Sequence, residues 1–158
     1  MPETPKPDPI KETAELLWLK LLLGMATIPD IIGWADGIIE AETSPAWELI
    51  EISVTRTANI NDMMTLLAKI PGSCDQVRVY RRLFREWLIR LRQDATLGQS
   101  IACQLYRIRH KLEAHGFGTA AYGLDELFEG IEFGYCSHDE ALKQLLKYLQ
   151  ESAGAPHA

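Results

Sequence analysis

The histidine and cysteine side chains are the first set of candidates for a chemical role in this chain. The three cysteines form no C-x-x-C pair, and two of the histidines, His110 and His115, are five residues apart. Two imidazoles reach one metal ion from a helix at a spacing of four, and a metal site needs three or four converging ligands. Cys103 and His110 share a helical face, but seven residues of helix separate them by about 10 Å. We therefore expect structural or surface roles for these side chains, and we predict no metal site.

Carboxylates at helical spacing are the second set of candidates. Asp36 and Glu40 form one patch, and Asp125, Glu129 and Glu132 form another. Both spacings place the carboxylates on outer helix faces, since unpaired carboxylates are costly to bury. The sequence contains no nucleophile elbow, Walker loop or dinucleotide fingerprint. We therefore predict a protein that is not an enzyme and that needs no cofactor.

Arginines cluster on one face of the longest predicted helix, residues 74–94. They are Arg78, Arg81, Arg82, Arg85 and Arg92. Guanidinium groups suit carboxylates or phosphates, so one hypothesis is an anion-binding or nucleic-acid-binding face that uses Arg78, Arg82 and Arg85. The other is pairing with acidic side chains of the same chain. We favour the second, because Ile89 lies in the same arc and the aromatic residues of this helix lie on its opposite side.

Charge and composition limit the class of protein. The 158 residues are 47% hydrophobic and 24% charged, which is typical of one globular domain. The net charge is −6, with an excess of Lys and Arg only in residues 53–115. A nucleic-acid-binding domain is usually basic overall, so we do not expect nucleic acid as the partner. An odd number of cysteines, no signal peptide and no membrane-spanning run together predict a cytoplasmic protein.

Apolar spacing predicts an all-α fold of about seven or eight short helices packed around the long helix 74–94. We expect a single domain over residues 10–152, with disordered tails at residues 1–9 and 153–158. Capping boxes are predicted at Ser73 and Ser137, and a cap at Thr27. The helices are predicted at residues 10–25, 28–42, from Pro45 to about 52, 60–70, 74–94, 97–115, 120–135 and 138–152.

Two helices matter most for the expected core and surface. The apolar face of helix 74–94 is predicted to be buried, and it consists of Val77, Tyr80, Phe84, Trp87, Leu88 and Leu91. The helix at 120–135 is predicted to direct Leu124, Phe128, Ile131 and Tyr135 inward. Its acidic residues Asp125, Glu129 and Glu132 would then face solvent.

Residues 28–70 carry a pattern that is similar to one found in a known group of proteins. The segments that carry it are Trp34-Ala35-Asp36-Gly37-Ile38-Ile39-Glu40, Pro45-x-x-Glu48-Leu49-Ile50-Glu51-Ile52-Ser53, Asn59-Ile60-Asn61-Asp62 and Leu66-Leu67. This pattern resembles small all-helical bacterial proteins of the immunity type. Such proteins are encoded beside toxins, and each neutralises its cognate toxin by binding it. The resemblance implies packing roles for Trp34 and Ile38, and it assigns no toxin-contacting residue.

The leading hypothesis is therefore a non-enzymatic protein that binds and neutralises a cognate toxin. Many toxins that attack nucleic acids or membranes present basic surfaces, so the interface is expected to be rich in carboxylates. Asp125, Glu129 and Glu132 are the preferred patch, and Asp36 with Glu40 is the second. The alternative hypothesis is a nucleic-acid-associated or regulatory helical module that uses the arginine face, and an enzyme of unrecognised type is the third.

Overall fold

The computed structural model describes residues 6–154, and within this range the chain is all-α, as predicted. It forms α1 Pro9–Leu22, α2 Ile28–Ala41, α3 Trp47–Val54, α4 Ile60–Ala68, α5 Gln76–Gln93, α6 Gly98–Arg107, α7 Arg109–Ala114, α8 Ala121–Glu132 and α9 His138–Ala153, with a 3₁₀ helix, Ala95–Leu97, before α6. Of the helices in the described range, none is long and apolar enough to cross a membrane. The tail predictions for residues 1–5 and 155–158 lie outside the described residues.

Side-chain caps explain where several helices begin. Thr27 and Asp30 form a capping box at the start of α2, and Ser137 and Glu140 form another at the start of α9. Asp8, which was placed in the predicted tail, caps α1 by accepting hydrogen bonds from the backbone N–H groups of Ile10 and Lys11. These contacts satisfy backbone donors that have no partner within the helix.

The predicted start of the longest helix is wrong by two residues. Asp75, and not Ser73, accepts a hydrogen bond from the first turn of α5, through the N–H of Val77 at 2.9 Å. The carbonyl of Ser73 instead accepts the N–H of Asp8 at 3.0 Å. The capping-box pattern at Ser73 was therefore a coincidence of spacing, and Asp75 provides the cap.

The predicted sixth helix is two helices, which raises the number in the described range to nine. The break falls at Ile108, whose N–H bonds to the carbonyl of Leu105 rather than to the carbonyl four residues back. The Arg109 guanidinium donates to the Tyr106 carbonyl at 2.7 Å, which satisfies an acceptor at the break. Ile108 and Leu112 are both buried. The apolar spacing therefore continues across the break, and periodicity could not reveal it.

Residue contacts divide the chain into two compact units, with the boundary between Val79 and Tyr80. In the first unit α4 packs against α1 and α3, and α3 packs against α2. The most deeply buried side chains of its core are Ala14, Ile31, Ala35, Leu49, Ile52, Met63 and Leu67. The predicted single domain over residues 10–152 stays a prediction.

In the second unit, α8 packs against α6, α7 and α9. Phe84 of α5 lies edge-on to Phe117 and to Tyr148 of α9, with ring centroids 5.1 and 5.9 Å apart. Trp87 is fully buried, and its indole N–H donates to the amide oxygen of Gln104 at 3.0 Å. Aromatic side chains therefore contribute much of this core.

The predicted apolar face of α5 is confirmed at five of its six positions: Tyr80, Phe84, Trp87, Leu88 and Leu91 are buried. Val77 is only half-buried. Val79 and Leu83 are also buried, so the apolar face is wider than predicted.

Replacing Trp87 by alanine is expected to lower the free energy of unfolding by about 3–5 kcal/mol, because it removes a fully buried aromatic side chain and leaves a cavity. Chemical denaturation followed by circular dichroism measures this loss. Trp47 is 66% exposed, so Trp47→Ala is the matched control and should change the stability by less than about 0.5 kcal/mol. Equal losses in the two variants would show that burial of Trp87 does not stabilise the fold.

Candidate functional site

The outer side of α8 carries three exposed carboxylates. Ala121, Leu124 and Phe128 of this helix are buried, which leaves the opposite side in solvent. Glu126 and Glu129 are exposed, as is Glu132 in the last turn, and we call these three carboxylates the acidic face of α8. The predicted positions of Glu129 and Glu132 at the surface are thus those found in the structure. Glu126 was missed, although its spacing of three from Glu129 would have included it.

Asp125, the third residue of the predicted patch, has a different environment. It is half-buried, and one of its carboxylate oxygens accepts a hydrogen bond from the thiol of Cys103 of α6 at 2.9 Å. This bond, together with partial burial and the negative charges of Asp125 and Glu129, raises the pKa of the Cys103 thiol to about 11. Asp125 therefore joins α8 to α6 and is less available to a partner than its neighbours.

Two exposed aromatic residues follow α8. Phe133 is 73% exposed and Tyr135 is 85% exposed, and their ring centroids are 6.2 Å apart. The prediction that Tyr135 faces inward is wrong, because α8 ends at Glu132 and not at Tyr135. Gly134 stops the helix: its φ of 74° is left-handed, a conformation that glycine adopts without strain.

The second predicted patch lies in the other unit, on α2. Asp36 is half-buried and accepts a hydrogen bond from the Ser53 hydroxyl of α3. Glu40 is exposed, as is Glu42 just beyond the end of α2. As with Asp125, one member of the predicted patch connects two helices, while its neighbour faces solvent.

The arginine face of α5 is in part an internal structure. The Nε atom of Arg78 lies 3.3 Å from a carboxylate oxygen of Glu12, a glutamate of α1 that is only 6% exposed. A buried carboxylate needs such a cation, since an uncompensated buried charge is strongly destabilising. Arg82 is half-buried, whereas Arg85 is exposed. The expected internal pairing thus holds for Arg78, and the anion-binding role of the three arginines stays a prediction.

A polar cluster joins α7 to α8. The hydroxyl of Tyr122 lies 2.8 Å from a carboxylate oxygen of Glu113 and 2.7 Å from Nδ1 of His110. The bond to Glu113 is the main cause that raises the pKa of Tyr122, so this phenol stays protonated near neutral pH. Helix spacing does not reveal the cluster, because its members are up to twelve residues apart and on different helices. No group of three metal-ligating side chains occurs in residues 6–154.

Two recesses open on the surface of the described chain. One, of about 500 Å³, lies between α8 and α9, and its lining includes Leu124, Leu127, Lys147, Tyr148 and Glu151. The other, of about 590 Å³, lies in the first unit beside the start of α2, and Arg56 is the one charged residue in its lining. Both have the volume of a small-molecule site. α8 thus has the acidic face on one side and an open groove on another.

Removing the Asp125 carboxylate should make Cys103 more reactive. Because the bond to Asp125 raises the thiol pKa to about 11, little thiolate exists near pH 8. Asp125→Asn should lower that pKa and accelerate alkylation of Cys103 by iodoacetamide on the order of tenfold. Mass spectrometry of timed samples measures the rate, with Cys136 as an internal reference.

Glu126→Gln is the matched control for this experiment, because it removes a neighbouring carboxylate that makes no bond to Cys103. It should leave the alkylation rate nearly unchanged. If Asp125→Asn and Glu126→Gln behave alike, the hydrogen bond between Asp125 and Cys103 does not control the thiol.

The intact protein should show no appreciable affinity for duplex or single-stranded nucleic acid near physiological salt, since Arg78 is paired with Glu12. Fluorescence anisotropy with labelled oligonucleotides measures this. Micromolar binding that weakens steeply with added salt, and that is lost in a folded variant with Arg78, Arg82 and Arg85 changed to Glu, would favour the alternative hypothesis.

Comparisons with known protein families, with curated proteins and with solved structures found no match for this chain.

Proposed function

We propose that this protein is not an enzyme and works by binding another protein that presents a basic surface. One observation carries the proposal. Residues 112–142 contain seven Asp and Glu and no Lys or Arg. Within this stretch the acidic face of α8 directs three carboxylates into solvent beside two exposed aromatic rings. Carboxylates attract a basic partner over a distance, and exposed aromatic side chains supply contact area once it has docked.

The partner that suits this surface best is a cognate toxin. The resemblance of residues 28–70 to immunity-type proteins supports this choice, and so does the basic surface expected of toxins that act on nucleic acids or membranes. Neutralisation would follow from occupying the toxin, with no chemical step and no cofactor. All three cysteines are free thiols, which suits a reducing, cytoplasmic location.

Other groups of this chain fit a catalytic or a binding role less well. The Tyr122 phenol stays protonated near neutral pH and so supplies no base. Of the arginines, Arg78 is already paired with a buried carboxylate. Residues 112–142 contain no lysine or arginine to offset the acidic face of α8, and we therefore assign the interface to it.

Charge reversal on α8 tests the proposal. The double variant with Glu129→Lys and Glu132→Lys should remain helical, because a lysine in the last turn of a helix interacts favourably with the helix dipole. It should weaken the complex with the partner at least tenfold, or about 1.4 kcal/mol. The partner is first isolated by affinity capture from the native cell extract and identified by mass spectrometry, and the affinities are then measured with purified proteins.

The matched control is the double variant with Glu40→Lys and Glu42→Lys, which makes the same change in net charge at the end of α2. It should bind as tightly as the unchanged protein and should still protect cells from the toxin. If the control loses binding and the α8 variant retains it, the interface is the patch on α2. If both variants bind normally, electrostatic recognition by either patch is excluded.

A further inference from the structure

We propose that Phe133 and Tyr135 form a seat for a cationic side chain, an arginine or lysine on a basic segment of the partner. This inference rests on the proposed function, which it extends by naming the group that is recognised. Phe133 and Tyr135 are the two most exposed large apolar side chains of the described chain. We call these two residues the aromatic pair.

The turn after α8 holds the aromatic pair in place. The N–H of Tyr135 donates to the carbonyl of Gly130 at 3.0 Å, and the N–H of Gly134 donates to the carbonyl of Ile131 at 3.1 Å. This is the Schellman arrangement of a helix end, with Gly134 in the left-handed conformation. The two rings therefore flank a single, hydrogen-bonded glycine, and their spacing does not depend on a long loop.

Contacts on both sides of the turn strengthen this arrangement. A Cβ atom added to Gly130 would lie 3.5 Å from the Cβ of Tyr135, so the tyrosine lies directly against the last turn of α8. The thiol of the next residue, Cys136, donates to the carbonyl of Leu127 at 3.0 Å, and Ser137 then caps α9. A surface that is ordered before binding loses less entropy when a partner docks.

The geometry of the rings suits a cation. Their centroids are 6.2 Å apart and their planes are inclined by 33°. A cation is attracted to an aromatic face within about 6 Å of its centroid, so one guanidinium or ammonium group can approach both rings. The described chain contains such an arrangement already: the guanidinium carbon of Arg109 lies 3.8 Å from the centroid of the Tyr106 ring and 5.5 Å from that of the Tyr122 ring.

The surrounding charge favours a cation over a neutral group. Glu132 directly precedes Phe133, and Glu129 lies one helical turn before it, with its side chain exposed. Phe133, Glu129 and Glu126 are spaced by four and three residues, which places them on one side of α8. A cation at the rings is therefore attracted by carboxylates as well as by the aromatic faces.

A defined peptide tests the seat without the natural partner. The probe is a fluorescently labelled, C-terminally amidated hexa-arginine peptide, titrated at low salt and followed by anisotropy. A double variant with Phe133→Leu and Tyr135→Leu keeps both positions apolar and leaves the charge unchanged but removes the aromatic faces. We expect it to weaken peptide binding about fivefold, in keeping with two cation–π contacts at an exposed site.

Two controls separate the aromatic faces from charge and from aromatic residues in general. Trp47→Leu removes an aromatic side chain of the other unit that is 66% exposed and should leave the affinity unchanged. Glu129→Gln with Glu132→Gln should weaken binding and reduce its dependence on salt, whereas the double leucine variant should keep the salt dependence. In the unchanged protein, NMR signals of the Tyr135 ring should shift on titration.

The outcomes distinguish this inference from the proposed function. Equal peptide affinity for the unchanged protein and the double leucine variant, or no shift of the Tyr135 ring, overturns the seat, even if α8 still binds a toxin through its carboxylates. Weaker peptide binding by the double leucine variant, with unchanged binding by Trp47→Leu, supports the seat, even if no toxin is captured.

Discussion

The close approach of Phe128 to Gly98 determines how α8 is rotated on its neighbours. Gly98 is buried at the start of α6, and a Cβ atom there would lie 2.9 Å from two carbons of the Phe128 ring. Such a distance is a steric clash, so a side chain at position 98 would push the ring away. With Phe128 and Leu124 buried together, one side of α8 is committed to the core. Its opposite side must then face solvent, and Glu126 and Glu129 lie toward that side.

The same rotation explains why the carboxylates of α8 do not act as one set. Asp125 lies at the edge of the buried side, close enough to α6 to accept a hydrogen bond from the Cys103 thiol. Glu129, one turn further along α8, and Glu132, in its last turn, are exposed. The hydrogen bond of Asp125 thus helps to hold α8 in place, while the outer carboxylates create the negative potential. Spacing alone placed all three in one arc, because it describes an isolated helix and contains no information about the neighbouring helix.

Much of the fold was predictable from local signals. The caps at Thr27 and Ser137 and the apolar stripe of α5 depend on residues within a few positions of one another. Both caps were confirmed, and so were five of the six positions of the stripe. The errors have a different origin. At the break at Ile108 a side chain bonds to the backbone across the break, which helix spacing does not reveal, and the apolar spacing continues through it. Tyr135 was placed inside because it continues the apolar spacing of α8, although Gly134 is the stronger signal and ends the helix.

The two charged surfaces that the sequence suggested differ in their contacts within the fold. A buried carboxylate at Glu12 requires a nearby cation, and Arg78 supplies it, so at least one arginine of α5 has a structural role. The outer carboxylates of α8 lie in a stretch of thirty-one residues without a lysine or arginine, and they stand beside the most exposed aromatic rings of the described chain. Folding alone does not favour such a surface, because like charges repel and aromatic side chains left in solvent add no hydrophobic stabilisation to the fold. A basic partner would relieve both costs at once, which is why we assign recognition to α8 and not to α5.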